Sequence, residues 1–155
     1  MVRLLCHPDK LQKARAELTA GLGSKEFVEE SDLVKLPYLH AVVKETMRLH
    51  PSWPARAALR DEFMPERFLG DRPVNFRGSD YIPFGAGRRG CPGMDMAARF
   101  VPLVLASILH KIEWKLPDAM APEDVDLREH CATVLEPVTP LRAIPVSTVL
   151  KPSST

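Results

Sequence analysis

The chain has 155 residues, 45% of them hydrophobic and 26% charged, which suits one domain with a core of its own. A formal net charge of +1 gives no broad pull toward nucleic acid or an acidic membrane surface, and Cys6, Cys91 and Cys131, odd in number and far apart, imply no disulfide framework and fit a reducing compartment. No run approaches the roughly 20 apolar residues of a membrane span, the stretch Met1 to Cys6 is too short for the apolar core of a signal peptide, and fifteen prolines, well above the usual share of about 5%, argue for short segments joined by fixed turns in a soluble chain.

Met1 to Leu5 reads as the last turn of a helix begun further upstream. His7-Pro8-Asp9 then opens a new helix, with Pro8 in the tolerated first turn. Leu11, Ala14 and Leu18 follow at helical spacing, and Gly21 and Gly23 close the segment. Ser31-Asp32-Leu33 suggests a cap and a short turn. Pro37 begins a second helix that runs to about Leu49, with Leu39, Val42, Val43 and Thr46 as its buried stripe, and His50-Pro51 stops it. Glu45 and Arg48 lie one turn apart on this helix, away from the stripe. For an ordinary helix such a pair is solvated and worth about 0.2–0.5 kcal/mol.

Pro51 to Glu62 has no alternation and little turn chemistry, and Trp53 within it reads as a packing residue. Pro65-Glu66-Arg67-Phe68 follows, and then Gly70 to Tyr81, polar and rich in turn residues, reads as a surface meander. The stretch Phe84-Gly85-Ala86-Gly87-Arg88-Arg89-Gly90-Cys91-Pro92-Gly93 has the densest chemistry. Its glycines allow positive φ and close approach of the backbone to a flat ligand. A helix starting at Pro92 or Gly93 aims unpaired N–H groups back at the sulfur and favours a thiolate, and Arg89 offers a fork of donors to a carboxylate. Two blander readings compete. A lone cysteine is commonly a small buried hydrophobe, and Gly85-x-Gly87-x-x-Gly90 also spells a dinucleotide fingerprint. The fingerprint needs a strand before it and an acidic residue about 20 positions later at a strand end. Pro83, Pro92 and the helical region downstream speak against that context.

From about Gly93 to His110 a helix carries Met94, Ala97, Ala98, Val101, Leu105, Ile108 and Leu109 on an apolar face. Pro102 inside it removes one N–H, at a cost of about 3 kcal/mol, and predicts a kink. Trp114-Lys115-Leu116 is strand-like, Pro117 to Asp126 is an acidic loop, and Thr133-Val134-Leu135 with Leu141 to Val146 suits a small terminal sheet. His130-Cys131 and Cys6-His7 lack the close paired spacing of a zinc site. Lys151 to Thr155 is a frayed tail.

Phe84-x-x-Gly87-x-Arg89-x-Cys91-x-Gly93 resembles, at every fixed position, the haem-binding loop of the cytochrome P-450 monooxygenases. Lys44-Glu45-Thr46-Met47-Arg48-Leu49-His50-Pro51 resembles that family's Glu-x-x-Arg helix, and Pro65 to Phe68 its later Pro-Glu-Arg-Phe element. The resemblance implies a mainly α fold with a small β component, the C-terminal partial domain of the P-450 fold. Within this one domain, residues 1–62 would hold the helices with Glu-x-x-Arg, 63–93 the meander and haem loop, 94–150 the long helix and terminal sheet, and 151–155 the tail. It implies Cys91 as the axial ligand of the iron of haem b, Arg89 against a haem propionate, Phe84 beside the sulfur, and Gly87 and Gly93 shaping the loop. Glu45, Arg48 and Arg67 would form a buried network that braces the loop, with no part in proton transfer. Beyond the haem ligand, no catalytic residue is implied in this chain.

In the family, a hairpin tip near His130, Cys131 and Ala132 touches substrate. The residues around Leu36-Pro37-Tyr38-Leu39 and Cys91-Pro92-Gly93-Met94 are most similar to plant microsomal members that hydroxylate small apolar terpenoids or alkaloids. The family's electron donor is an NADPH–cytochrome reductase. Arg88 suits that proximal face and equally suits a solvated charge. Family members sit on the cytosolic face of the endoplasmic reticulum by an anchor that this chain lacks, which implies a cytosolic or peripheral location. The stretch from Pro51 to Glu62 is far shorter than its family counterpart and reads as a splice across missing sequence. Two functions therefore stand side by side. One is a haem-thiolate monooxygenase in truncated form, inactive alone. The other is a non-catalytic haem-binding or interaction remnant from a splice variant or pseudogene.

Overall fold

Proline and glycine punctuation sets the helices of the computed structural model, which describes residues 1–51, 62–70, 81–132 and 135–147. After a short α1, Val2–Leu5, helix α2 spans Pro8–Leu22 with Pro8 in its first turn, and Gly23 caps it at φ +55°. Gly21 lies inside α2 and does not close it. A Cβ there would come within 3.2 Å of Leu36 Cδ2, so this glycine serves the close approach of two segments. Helix α3, Pro37–Leu49, begins with its proline as the sequence suggests. Its orphan N–H groups are met from outside the helix: Glu17 of α2 accepts from Tyr38 N at 2.7 Å and from Leu39 N at 2.8 Å. A carboxylate at that end also complements the helix dipole.

Between α2 and α3 the 3-10 turn Glu30–Lys35 is capped by Glu29 and Asp32, not by Ser31. Asp32 is buried, accepting from Glu29 N, Lys25 Nζ and Lys35 Nζ. Helix α4, Met94–His110, starts one residue beyond Gly93 and continues through the buried Pro102. Leu18, Leu36, Leu39, Val42 and Leu109 are sealed where α2, α3 and α4 meet. The expected face of α4 is only partly the buried one. Leu105, Ala106 and Leu109 enter the core, whereas Met96, Phe100, Val101 and Val104 are exposed. Apolar residues surround this helix, so periodicity alone does not choose which side packs. The exposed side borders a groove of about 320 Å³ with Val43 and Met47 of α3.

The terminal strands form two separate antiparallel pairs instead of one sheet. Strand β1, Ile112–Lys115, pairs with β4, Ile144–Ser147, setting Trp114 opposite Pro145. Strand β2, Glu129–Cys131, pairs with β3, Leu135–Pro137, setting His130 opposite Glu136. Trp114 ties the first pair to α4 by donating to Ile108 O at 2.8 Å. The architecture is mainly helical with small sheets. Among the described residues, no helix is long and apolar enough to cross a membrane. Trp53, the meander over 71–80, Thr133, Val134 and the tail lie outside the described residues.

Candidate functional site

Two local devices shape the loop that carries Cys91. Gly85 and Gly87 sit at φ +73° and +68°, in the left-handed region that side chains resist. Gly90 has ordinary φ but no room, because a Cβ would meet Gly87 O at 3.3 Å. The turn closes through Gly85 N to Ile82 O at 3.1 Å and Cys91 N to Phe84 O at 3.0 Å, with a 3-10 turn over Gly87–Arg89 between them. Phe84 and Cys91 are thereby drawn together across the turn. Cys91 is exposed, and its Sγ lies 3.8 Å from where a Gly93 Cβ would stand. Arg88 and Arg89 are exposed on the same loop, and Phe84 is half-buried.

The loop is anchored on both sides. Tyr81, just before it, is buried, donates its hydroxyl to Lys44 O of α3 at 2.9 Å and stacks edge-on with Phe68. Burial, with the Glu45 carboxylate adding to it, raises the Tyr81 phenol above its ordinary value, so it stays protonated and able to donate. On the other side the chain passes directly into α4, whose Leu105, Ala106 and Leu109 fix it in the core.

Glu45, Arg48 and Arg67 come together beneath this region. Glu45 is fully buried although it lies off the apolar stripe. Its carboxylate accepts from Arg48 Nε at 2.7 Å and Nη2 at 2.8 Å, from Arg67 Nε at 3.2 Å and from Met64 N at 2.9 Å. A buried carboxylate is tolerated when donors fill its lone pairs in this way. Arg48 also donates to Glu62 O at 3.3 Å. The result staples α3 to the 3-10 turn Pro65–Phe68 that precedes the loop.

Sequence reading missed the neighbouring cluster on Glu66, which accepts from Lys13 Nζ at 2.8 Å and Tyr38 Oη at 3.3 Å and pairs with Lys10. Burial pushes the Glu66 carboxyl up, but the Lys13 hydrogen bond, backbone donation and the two lysines outweigh it and hold the group at about 2. The only signal was its place in Pro-Glu-Arg-Phe. His130, Cys131 and Ala132 are exposed on or beside β2.

Three comparisons bear on this arrangement. The family model described as Cytochrome P450 matches residues 1–61 and 60–141. Ent-cassadiene C11-alpha-hydroxylase 1 of rice is 43% identical over 185 positions, and geraniol 8-hydroxylase of Catharanthus roseus is 40% identical over 182. Each alignment covers 94% of this chain and 37% of the relative. A solved zebrafish cytochrome P450, in a structure with abiraterone, superposes with a TM-score of 0.74 at 26% identity over 94% of this chain and 41% of that one. The chain thus spans little more than a third of the length of the curated relatives it matches. The rice alignment is longer than the chain's 155 residues, so that relative carries internal sequence with no counterpart here. The two blocks of the family match meet at residues 60 and 61, within the short stretch from Pro51 to Glu62.

Proposed function

Since the chain belongs to the cytochrome P450 family, we propose that it presents Cys91 as the axial thiolate of haem b iron in a monooxygenase of the kind that hydroxylates a small apolar substrate such as a terpenoid or alkaloid, and that it does not turn over alone. The observation that carries this reading is an exposed cysteine in a loop bent by two left-handed glycines and anchored at both ends. That donor set fits the group. A thiolate is a suitable haem ligand, the glycines leave the loop thin where a flat macrocycle would lie, and exposed Arg89 is available to a propionate. In this reading Phe84, whose carbonyl accepts from Cys91 N at 3.0 Å, packs beside the sulfur once haem is bound, and Gly93 adds no side chain 3.8 Å from it. Glu45, Arg48 and Arg67 hold the approach to the loop, keeping the sulfur in place. When bound, a haem with a thiolate ligand supplies oxygen activation by favouring O–O cleavage.

The substrate class follows two of the relatives, ent-cassadiene C11-alpha-hydroxylase 1 and geraniol 8-hydroxylase. The partner of the full activity is an NADPH–cytochrome reductase docking near Arg88, on the cytosolic face of the endoplasmic reticulum or free of it. A second reading has its own support. The internal sequence that relatives carry and this chain lacks favours a haem-binding or interaction remnant without turnover.

Two measurements test these readings. The chain is loaded with haem, reduced and exposed to carbon monoxide, and a strongly red-shifted Soret band that vanishes in Cys91→Ala is expected. An unshifted band in the wild type overturns the thiolate assignment. Reconstitution with reductase and NADPH is expected to yield no oxygenated terpenoid, and substantial product removes the remnant reading.

A further inference from the structure

His50 is the point at which three distant parts of the chain meet, and it is separate from the network around Glu45. It caps the C-terminus of α3, donating its backbone N–H to Thr46 O at 2.8 Å. Arg3 Nε from α1 lies 2.7 Å from one ring nitrogen, Nε2. Glu129 Oε1 from β2 lies 2.6 Å from the other, Nδ1. All three side chains are partly buried at the edge of a cavity of about 710 Å³ between α1, the end of α3 and the β2–β3 hairpin.

The donor inventory fixes the proton. A guanidinium only donates, so Nε2 must be the lone-pair nitrogen, and the single proton of the neutral ring sits on Nδ1 and is donated to Glu129. A second proton can be placed only on Nε2. It would set N–H against N–H and imidazolium against guanidinium, while the bond to Glu129 gains charge and strengthens. The other charged or titratable groups facing the cavity or α1 are the Met1 α-amino group, which burial makes easier to deprotonate, His7, whose Nδ1 lies 2.7 Å from Arg3 O, Asp124 and Asp126 from the segment before β2, and Arg142 from the segment before β4. Asp126 is already engaged by Arg128 at 2.9 Å and by Thr139. From α3 the cavity receives Thr46, which is uncharged.

We propose that Arg3, His50 and Glu129 form an acid-sensitive clasp, in which the neutral ring fastens both α1 and the hairpin to the end of α3, and a proton on His50 loosens α1 while the hairpin stays held. Met1, Val2 and Arg3 form one wall of the cavity, so loosening α1 opens it. The device does not depend on haem binding or on the family's reaction.

The test is nuclear magnetic resonance on the full chain with labelled histidine, read together with amide exchange. In its neutral form the His50 ring is expected as the Nδ1–H tautomer. As His50 titrates, exchange protection at the Leu5 and Cys6 amides, which bond to Met1 O and Val2 O, is expected to fall about tenfold after correction for intrinsic rate, on the scale of one charge-assisted hydrogen bond. Protection across the β2–β3 ladder should not fall with it. His50→Gln keeps one acceptor and one donor without titrating, and should make α1 protection independent of pH over that range. An Nε2–H tautomer, α1 protection unchanged through the His50 titration, or the same pH dependence in His50→Gln would each overturn the clasp. Should the Gln variant fail to fold, the two wild-type measurements decide alone.

Discussion

Glu45 is the residue on which most depends, because its carboxylate is sealed from water and its donors come from α3 and from the segment near Pro65. Glu45→Ala leaves two guanidinium groups and the Met64 N–H without their acceptor. Removing one partner of a buried charged set typically costs about 3–5 kcal/mol, and urea denaturation followed by circular dichroism should register a loss of that size. Glu45→Gln, which keeps an acceptor oxygen, should lose less. Asp32 and Glu66 contribute to the response to acid, alongside Asp126, whose carboxyl the Arg128 hydrogen bond holds below the usual carboxylate range. The Lys25 hydrogen bond and Glu29 N–H hold Asp32 at about 2, and Glu66 sits at a similar value. Both are depressed from the ordinary carboxylate range near 4. Their contribution is therefore complete above about pH 4 and is lost as pH falls from there toward 2. Melting temperature should drop across that window, and the drop should shrink in Asp32→Asn.

At the scale of elements, the loop and α3 differ in how much the sequence reveals. Pro37 and His50-Pro51 marked both ends of α3, because proline constraints are local. The buried side of α3 was only half legible. Met64 and Arg67 are 19 and 22 positions from Glu45, and no helical wheel carries contacts over such separations. The Glu17 cap on α3 was hidden for the same reason. The glycines around Cys91 were readable as a group, but their jobs divide. Gly85 and Gly87 supply left-handed backbone, whereas Gly90 supplies room. Gly85→Ala and Gly87→Ala should each destabilise by about 1–2 kcal/mol through strain. They should also weaken haem retention, measured by transfer of haem to apomyoglobin. The pairing of β1 with β4 was not legible, because the two strands are separated by the whole β2–β3 excursion and neither alternates clearly.

Across the whole molecule, α2, α3 and α4 enclose one core, and the sequence foretold its helical character and its family. What it could not show is how much apolar surface that core leaves uncovered. Met96, Phe100, Val101 and Val104 form a row along α4 beside the groove toward Val43 and Met47. In water, a row of this kind acts as an adhesive. The purified chain should elute late from a phenyl column and scatter more light as its concentration rises. Mild detergent should reverse the scattering. Phe100→Glu, which puts a charge in the middle of the row at a half-exposed site, should shorten the retention and clear the solution without lowering the thermal midpoint.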